Sequence, residues 1–177
     1  MALHRDAAPM LEERRRVIVV LDLAGFTRAV SALGGMELAR LVDDFYVVAD
    51  ASVVEHGGRV VKFVGDGCLA LFPDDAVGGA LRCVDAVAAG LPALGRDHGV
   101  ALELGANVHR SVVVEGQFGG GSSRSFDVIG PGVIHAYRMG GGPGVRISEP
   151  VYRQVPNDHR RHWEKRQPPA TYTRRAG

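Results

Sequence analysis

Gly58-Arg59-Val60-Val61-Lys62-Phe63-Val64-Gly65-Asp66-Gly67-Cys68-Leu69-Ala70-Leu71-Phe72 reads as two β-strands joined by a tight turn. Val60 to Val64 is β-branched and aromatic around a single lysine, and Cys68 to Phe72 is apolar throughout. Asp66-Gly67 is a hairpin signal, because a type I′ turn needs positive φ that Asp tolerates and Gly favours. The turn lifts one carboxylate clear of an apolar hairpin. Taken alone, Asp66 is equally well read as a turn residue.

Upstream of the hairpin, Val17-Ile18-Val19-Val20-Leu21 is a continuous apolar run, the mark of a central strand covered on both faces. It leads into Asp22-Leu23-Ala24-Gly25-Phe26-Thr27, a carboxylate at a strand exit followed by a Gly turn. Such positions carry active-site groups, although an Asp there can also cap a helix. Arg14-Arg15-Arg16 reads as a solvated strand edge rather than a basic patch. Met1 to Glu13 is a polar lead-in, and residues 14–177 form one domain.

From Met36 to His56 the apolar positions Leu38, Leu41, Val42, Phe45, Val48 and Ala49 share one helical stripe, stopped by Gly57-Gly58. A second helix is expected from Asp74 or Asp75 to near Pro92. Leu102–Val108 and Val112–Phe118 read as two further strands, and Ala170–Thr173 as one more in a polar, Arg-rich tail. Strand, long helix, hairpin, helix, strand is the βαββαβ order of an α+β, ferredoxin-like sheet with helices on one face and additional C-terminal strands.

The 177 residues have 46% hydrophobic, 23% charged and 6% aromatic content and a net charge of +1. That balance is globular and gives no nucleic-acid partner, since a polyanion binder concentrates basic charge. No run approaches the ~20 apolar residues of a membrane span. No long apolar block precedes Asp22, so no signal peptide is expected. Cys68 and Cys83 lie in apolar stretches without metal spacing and read as reduced core residues of a cytoplasmic protein.

In this fold Asp22 ends the first strand and Asp66 sits in the turn of the next two. Neighbouring strands lie about 4.8 Å apart, so the two carboxylates can converge on one point. Paired carboxylates without His or Cys suit a hard cation such as Mg²⁺, which takes waters and phosphate oxygens as its other ligands. Two such ions about 3.5–4 Å apart would activate a hydroxyl and stabilise a leaving pyrophosphate.

Four segments occur in order: Asp22-Leu23-Ala24-Gly25-Phe26-Thr27, His56-Gly57-Gly58, Val61-Lys62-Phe63-Val64-Gly65-Asp66, and Phe126-Asp127-Val128-Ile129-Gly130. Together they resemble the catalytic domain of class III nucleotidyl cyclases, from about Arg16 to Val155. The resemblance implies a head-to-tail homodimer with shared active sites, ATP as substrate, and two divalent cations, Mg²⁺ or Mn²⁺. It implies cyclic AMP production in signal transduction, with a regulatory partner protein as a further expectation. Asp22 and Asp66 fall at the metal-binding positions, Phe26, Thr27 and Lys165 at phosphate-binding ones. Lys62 and Asp127 fall where adenylyl members recognise adenine, while guanylyl members carry Glu and Cys-like residues. For Lys62 the alternative is a charge that protects a sheet edge.

Arg138, eleven residues after Asp127, matches the arginine that stabilises the transition state; its rigid fork suits phosphate oxygens. Pro131 suits the first turn of the helix carrying it. One position departs: the family has Asn seven residues after the Asp, where this chain has Ile134. Shifting the register to His135 would lose Arg138, because adjacent helix positions point about 100° apart. Losing one transition-state donor costs on the order of 10²–10³ in rate. The resemblance therefore leaves two expectations, an adenylyl cyclase of reduced activity or a cyclase-like domain that binds nucleotide and regulates a partner. His109 matches a histidine at a strand end and reads as structural.

Overall fold

In a computed structural model the apolar run Val17–Leu21 is the centre of the sheet, with Val17, Ile18, Val19 and Leu21 fully buried. The structure describes residues 11–166 and 170–174. Strand β1 (Leu11–Ala24) is hydrogen-bonded on both sides, to β3 (Gly67–Pro73) and along its full length to β4 (Glu103–Phe118), both antiparallel. The lead-in expected to reach Glu13 thus gives way to strand at Leu11, because Leu11–Glu13 pair with Val114–Gly116. Residues 1–10 lie outside the described residues.

β2 (Arg59–Val64) pairs β3 at one edge, giving the order β2-β3-β1-β4 expected of a ferredoxin-like core. Beyond β4 the sheet continues through β6 (Gly144–Ser148), parallel to β4, then β8 (Thr171–Arg174) and β7 (Trp163–Arg166); β5 (Ser125–Ile129) pairs with the far end of β4. The strand expected at 170–173 is β8. The two strands expected at 102–108 and 112–118 are one. His109, Arg110 and Ser111 continue the ladder opposite Ile18, Val17 and Arg16, since backbone pairing does not depend on polar side chains.

Two long helices cover one face, α2 (Gly35–Glu55) after the short α1 (Phe26–Ala32), and α3 (Val77–Asp97). Leu41, Phe45, Ala49 and Val53 of α2 and Ala80, Cys83, Val84, Val87 and Leu91 of α3 bury against Val17, Val19, Leu21 and Leu23. α3 runs five residues past Pro92, where an end was expected: burial of Leu94 and Gly95 carries the helix through the missing N–H. By length and composition α3 could cross a membrane, yet its apolar face is the core of this fold. The opposite face carries a smaller cluster of Ile18, Val20, Leu69, Leu71, Val113, Val128 and Ala136 under α4 (Pro131–Arg138). Pro131 opens α4 as expected, and buried Gly132 lets it approach Ser111, where a Cβ would have no room. A short helix α5 (Glu149–Tyr152) follows β6.

Of the arginines of β1, Arg14 and Arg15 are exposed as expected, and Arg16 is partly buried. Arg16 donates through Nε and Nη2 to Glu115 at 2.8 and 2.6 Å, and Arg14 pairs with Glu12 and Glu115. Arg16 holds the Glu115 carboxyl below its ordinary range, chiefly by that hydrogen bond. Cys68 and Cys83 are buried free thiols, as expected.

Candidate active site

The two carboxylates singled out in the sequence line one cavity of about 270 Å³ with Val20, Val64, Cys68, Asn107, Tyr137, Gly140 and Gly141. Asp22 lies inside β1, which runs on to Ala24, and α1 begins only at Phe26; it does not cap that helix. Its ladder partners on the two sides are Gly67 and Gly105. A Cβ on Gly67 would come within 2.5 Å of the Leu21 carbonyl, and one on Gly105 would collide with the Asp22 carboxylate. The absence of a side chain at 105 therefore makes the cradle in which the carboxylate lies.

The hairpin turn differs by one residue from the expectation. Val64 pairs Gly67, so the two-residue loop is Gly65-Asp66, and Gly65 supplies the positive φ, at +59°. Gly67 serves the close approach to β1 instead. The Leu23 N–H donates to the Asp66 carbonyl at 3.0 Å, and the Tyr46 hydroxyl donates to the Gly65 carbonyl at 2.6 Å. Tyr46 also stacks on Phe63 with ring centroids 4.0 Å apart. The turn is thus fastened both to the strand carrying Asp22 and to α2.

Burial, and then the negative charge of Asp66, push the Asp22 carboxyl above its usual range, with Arg146 opposing. A cation between two carboxylates removes that repulsion, so the donor set fits a hard divalent ion. Among the described residues no group of three or more His, Cys, Asp or Glu side chains is gathered.

Lys62 and Asp127 meet. Lys62 Nζ donates to Asp127 Oδ2 at 2.8 Å, and Asp127 Oδ1 accepts from the Val128 N–H at 2.7 Å. A bulge makes this possible: the β2–β3 register shifts between Val60 and Lys62. Val60 and Phe63, three residues apart, both pack on the main core, and Val61 packs on the smaller one. Without the extra residue, strict alternation would turn Lys62 to the helix-covered face. Its neighbour Arg59 lies over the Phe126 ring at 3.6 Å, joining β2 to β5.

Arg138 and Ile134 occupy successive turns of α4 and are both exposed, Ile134 by 56%. Neither lines the Asp22–Asp66 cavity of its own chain. Phe26 and Thr27 open α1; Phe26 packs on the core, Thr27 is exposed, and its carbonyl accepts from the Ser31 hydroxyl. Lys165 sits on the edge strand β7, its Nζ 5.9 Å from the Tyr172 ring and across the sheet from Asp66. His109 faces His135 with ring centroids 4.5 Å apart; burial first, then His135, push its imidazole down to about 4.

Two residues lining the cavity and one that ties down its loop were not singled out in the sequence. Asn107 is buried, and its Nδ2 donates to the Gly140 carbonyl at 2.9 Å. Tyr137 forms part of the wall. Arg146, beside Asn107 in the β4–β6 register, donates to the carbonyls of Gly141, Gly142, Pro143 and Gly144 and so ties down the loop bearing Gly140 and Gly141. The available signal was polarity in apolar strands: Asn107 in Leu104–Val108 and Arg146 in Gly144–Ser148.

The chain is similar to an adenylate cyclase of Anabaena cylindrica, 28% identical over 155 residues, which are 80% of this chain and 31% of that protein. It thus spans about a third of the relative's length. Among solved structures it is similar to the guanylyl cyclase Cya2, with a TM-score of 0.82, 22% identity and 92% of each chain covered. It is also similar to the adenylyl cyclase CyaB from P. aeruginosa, with a TM-score of 0.77, 20% identity, and 94% of this chain and 97% of that one covered. No family model matches the chain.

The fold is that of the class III nucleotidyl cyclase catalytic domain, and the resemblance read from the four motifs is borne out at that level. Both adenylyl and guanylyl cyclases stand among the similar structures, so the likeness does not divide the two types.

Proposed function

We propose that this domain converts ATP to cyclic AMP and pyrophosphate at an interface between two copies of the chain. The observation that carries this is the convergence of Asp22 and Asp66 on one cavity, with Gly105 leaving space for the carboxylate. Two divalent cations, Mg²⁺ or Mn²⁺, fit those carboxylates; when bound they supply Lewis-acid stabilisation of the phosphates and lower the pKa of the ribose 3′-hydroxyl that attacks the α-phosphate. Asp22 and Asp66 hold that charge at the floor of the cavity. Phe26 and Thr27, just beyond β1, are the groups nearest in sequence for the phosphates.

Lys62 and Asp127 recognise the base: the ammonium donates to adenine N1, and the carboxylate accepts from the exocyclic amine. Their mutual ion pair orients both groups before the base arrives. Arg138 donates to phosphate oxygens as charge develops in the transition state. Because Arg138 does not line the cavity of its own chain, it serves the carboxylates of a second copy, together with Lys62 and Asp127. Exposed apolar residues on the hairpin, β5 and α4, namely Val64, Ile129, Ile134 and Tyr137, support a homodimer on this side. Lys165 is kept as the triphosphate-binding group at the far edge. The free, buried cysteines support a cytoplasmic, reducing setting.

A second reading is favoured by Ile134, whose side chain can neither donate nor accept a hydrogen bond at the transition-state position. On it the domain binds nucleotide and regulates a partner protein. The deciding experiment is cyclic nucleotide production from ATP, GTP, CTP and UTP with Mn²⁺, beside Asp66→Ala. Cyclic AMP that vanishes in the variant supports the cyclase. ATP binding without product supports the regulatory reading, and activity retained in Asp66→Ala overturns the two-metal assignment.

A further inference from the structure

Asn107 is a buried polar side chain in the cavity that the phosphoryl-transfer reading leaves without a task. The residue is 3% exposed, and its Oδ1 is buried with no hydrogen-bond partner among the described residues. Which way the amide faces is settled by its other end. Nδ2 donates to the Gly140 carbonyl at 2.9 Å, and the reverse orientation would set two acceptor oxygens against each other. With the nitrogen committed to Gly140, the buried oxygen is the atom left without a partner in the wall of the cavity that Asp22, Asp66 and Tyr137 also line.

The strand register puts Asn107 on the same face as Asp22 and next to it. Gly105 and Asn107 are two residues apart on β4 and share a face of the sheet. Gly105 is the ladder partner of Asp22, whose carboxylate lies over it, and Asn107 is the next side chain along that face. The neighbouring cation, Arg146, is taken up by the carbonyls of residues 141–144. An apolar side chain would fill this strand position without burying an unsatisfied amide oxygen, so the amide carries a cost that a ligand in the cavity would remove.

We propose that Asn107 is a further positioning residue of the cation site: Oδ1 accepts a hydrogen bond from water bound to the divalent ion held by Asp22 and Asp66. The proposal rests on the two-carboxylate reading. An amide oxygen suits the role because it adds no charge to a site whose carboxylates already repel, and it aligns a water rather than displacing it. Nδ2 ties the same side chain to the Gly140–Gly141 loop, so the amide joins the cavity wall to the bound ion.

The test is Mn²⁺ affinity of the full chain, without nucleotide, followed by the electron paramagnetic resonance signal of free Mn²⁺. Four proteins are compared: the unsubstituted chain, Asn107→Leu, Asn107→Asp and Asp22→Asn. Asn107→Leu should weaken Mn²⁺ about 10-fold, the scale of losing a group that orients a metal ligand. Asn107→Asp should tighten it, because a third carboxylate then faces the ion. Unchanged affinity in both Asn107 variants, with Asp22→Asn still abolishing binding, overturns the role of Asn107 alone. Affinity unchanged in Asp22→Asn overturns the two-carboxylate reading and this proposal with it. Should Asn107→Leu fail to fold, Asn107→Asp decides: tighter binding supports the proposal, unchanged or weaker binding overturns it. A purely structural asparagine would shift the melting temperatures without ordering the Mn²⁺ affinities in this way.

Discussion

Lys62 Nζ lies 2.8 Å from Asp127 Oδ2, across the gap between β2 and β5, with both side chains partly open to solvent. An exposed pair of this kind contributes only about 0–1 kcal/mol to stability. On the proposed function the pair serves recognition of the base rather than stability. Exchanging the pair for Lys62→Glu with Asp127→Cys should move turnover from ATP toward GTP while the melting temperature changes little. Cyclase assays with both nucleotides check this; an unchanged ATP preference would remove the pair from base recognition.

Ile134 should be open to improvement. Its side chain is exposed and leaves no cavity when replaced. Ile134→Asn restores a hydrogen-bonding group one turn before Arg138 and should raise kcat by up to about 10²-fold, the inverse of the usual loss of one such donor. No gain in kcat under saturating ATP and Mn²⁺ would separate residue 134 from the chemistry.

Gly105→Ala should displace the Asp22 carboxylate, because the added methyl occupies the same space. Cation affinity should fall while the strand still pairs with β1 on one side and β6 on the other. Titration with Mn²⁺ reads the affinity, and circular dichroism reads the fold. Wild-type affinity in this variant would show that the carboxylate has another rest position.

Acid should weaken the fold through His109. Its imidazole is pushed from 6.5 down to about 4, so between those values the unfolded chain takes up a proton that the folded one refuses. The contribution is fully present above pH 6.5 and is lost as pH falls toward 4. The melting temperature should drop between pH 7 and pH 5, and His109→Gln should flatten that slope. An equal slope in the variant would assign the acid sensitivity elsewhere.

The thiols of Cys68 and Cys83 are both raised to about 12, chiefly by burial. Neither should react with iodoacetamide in the native protein at pH 8, since the thiolate is the nucleophile. Both should react on denaturation, as mass spectrometry of the alkylated chain would count. Rapid native labelling of Cys68 would show that the cavity wall opens.

Local patterns were enough for the architecture of the core. Val17–Leu21 is apolar without a break and had to be a central strand; the stripe from Leu38 to Ala49 had to be a helix; two short β-branched or apolar runs around Gly and Asp had to be a hairpin. Four ordered motifs, through their resemblance to a known family, then pointed to the two carboxylates, the Lys–Asp pair and the arginine. Other features were decided only by the tertiary structure. Pairing with β1 made one strand of 103–118, and burial of Leu94 carried α3 past Pro92. The ladder shifted the turn to Gly65-Asp66 and put a bulge before Lys62. Asn107 and Tyr137 reached the cavity, and Arg146 the loop beside it, because β4, α4 and β6 adjoin there, and a strand's own sequence carries no record of which strand lies beside it. Periodicity reports the environment of one element, while a site is made where several meet.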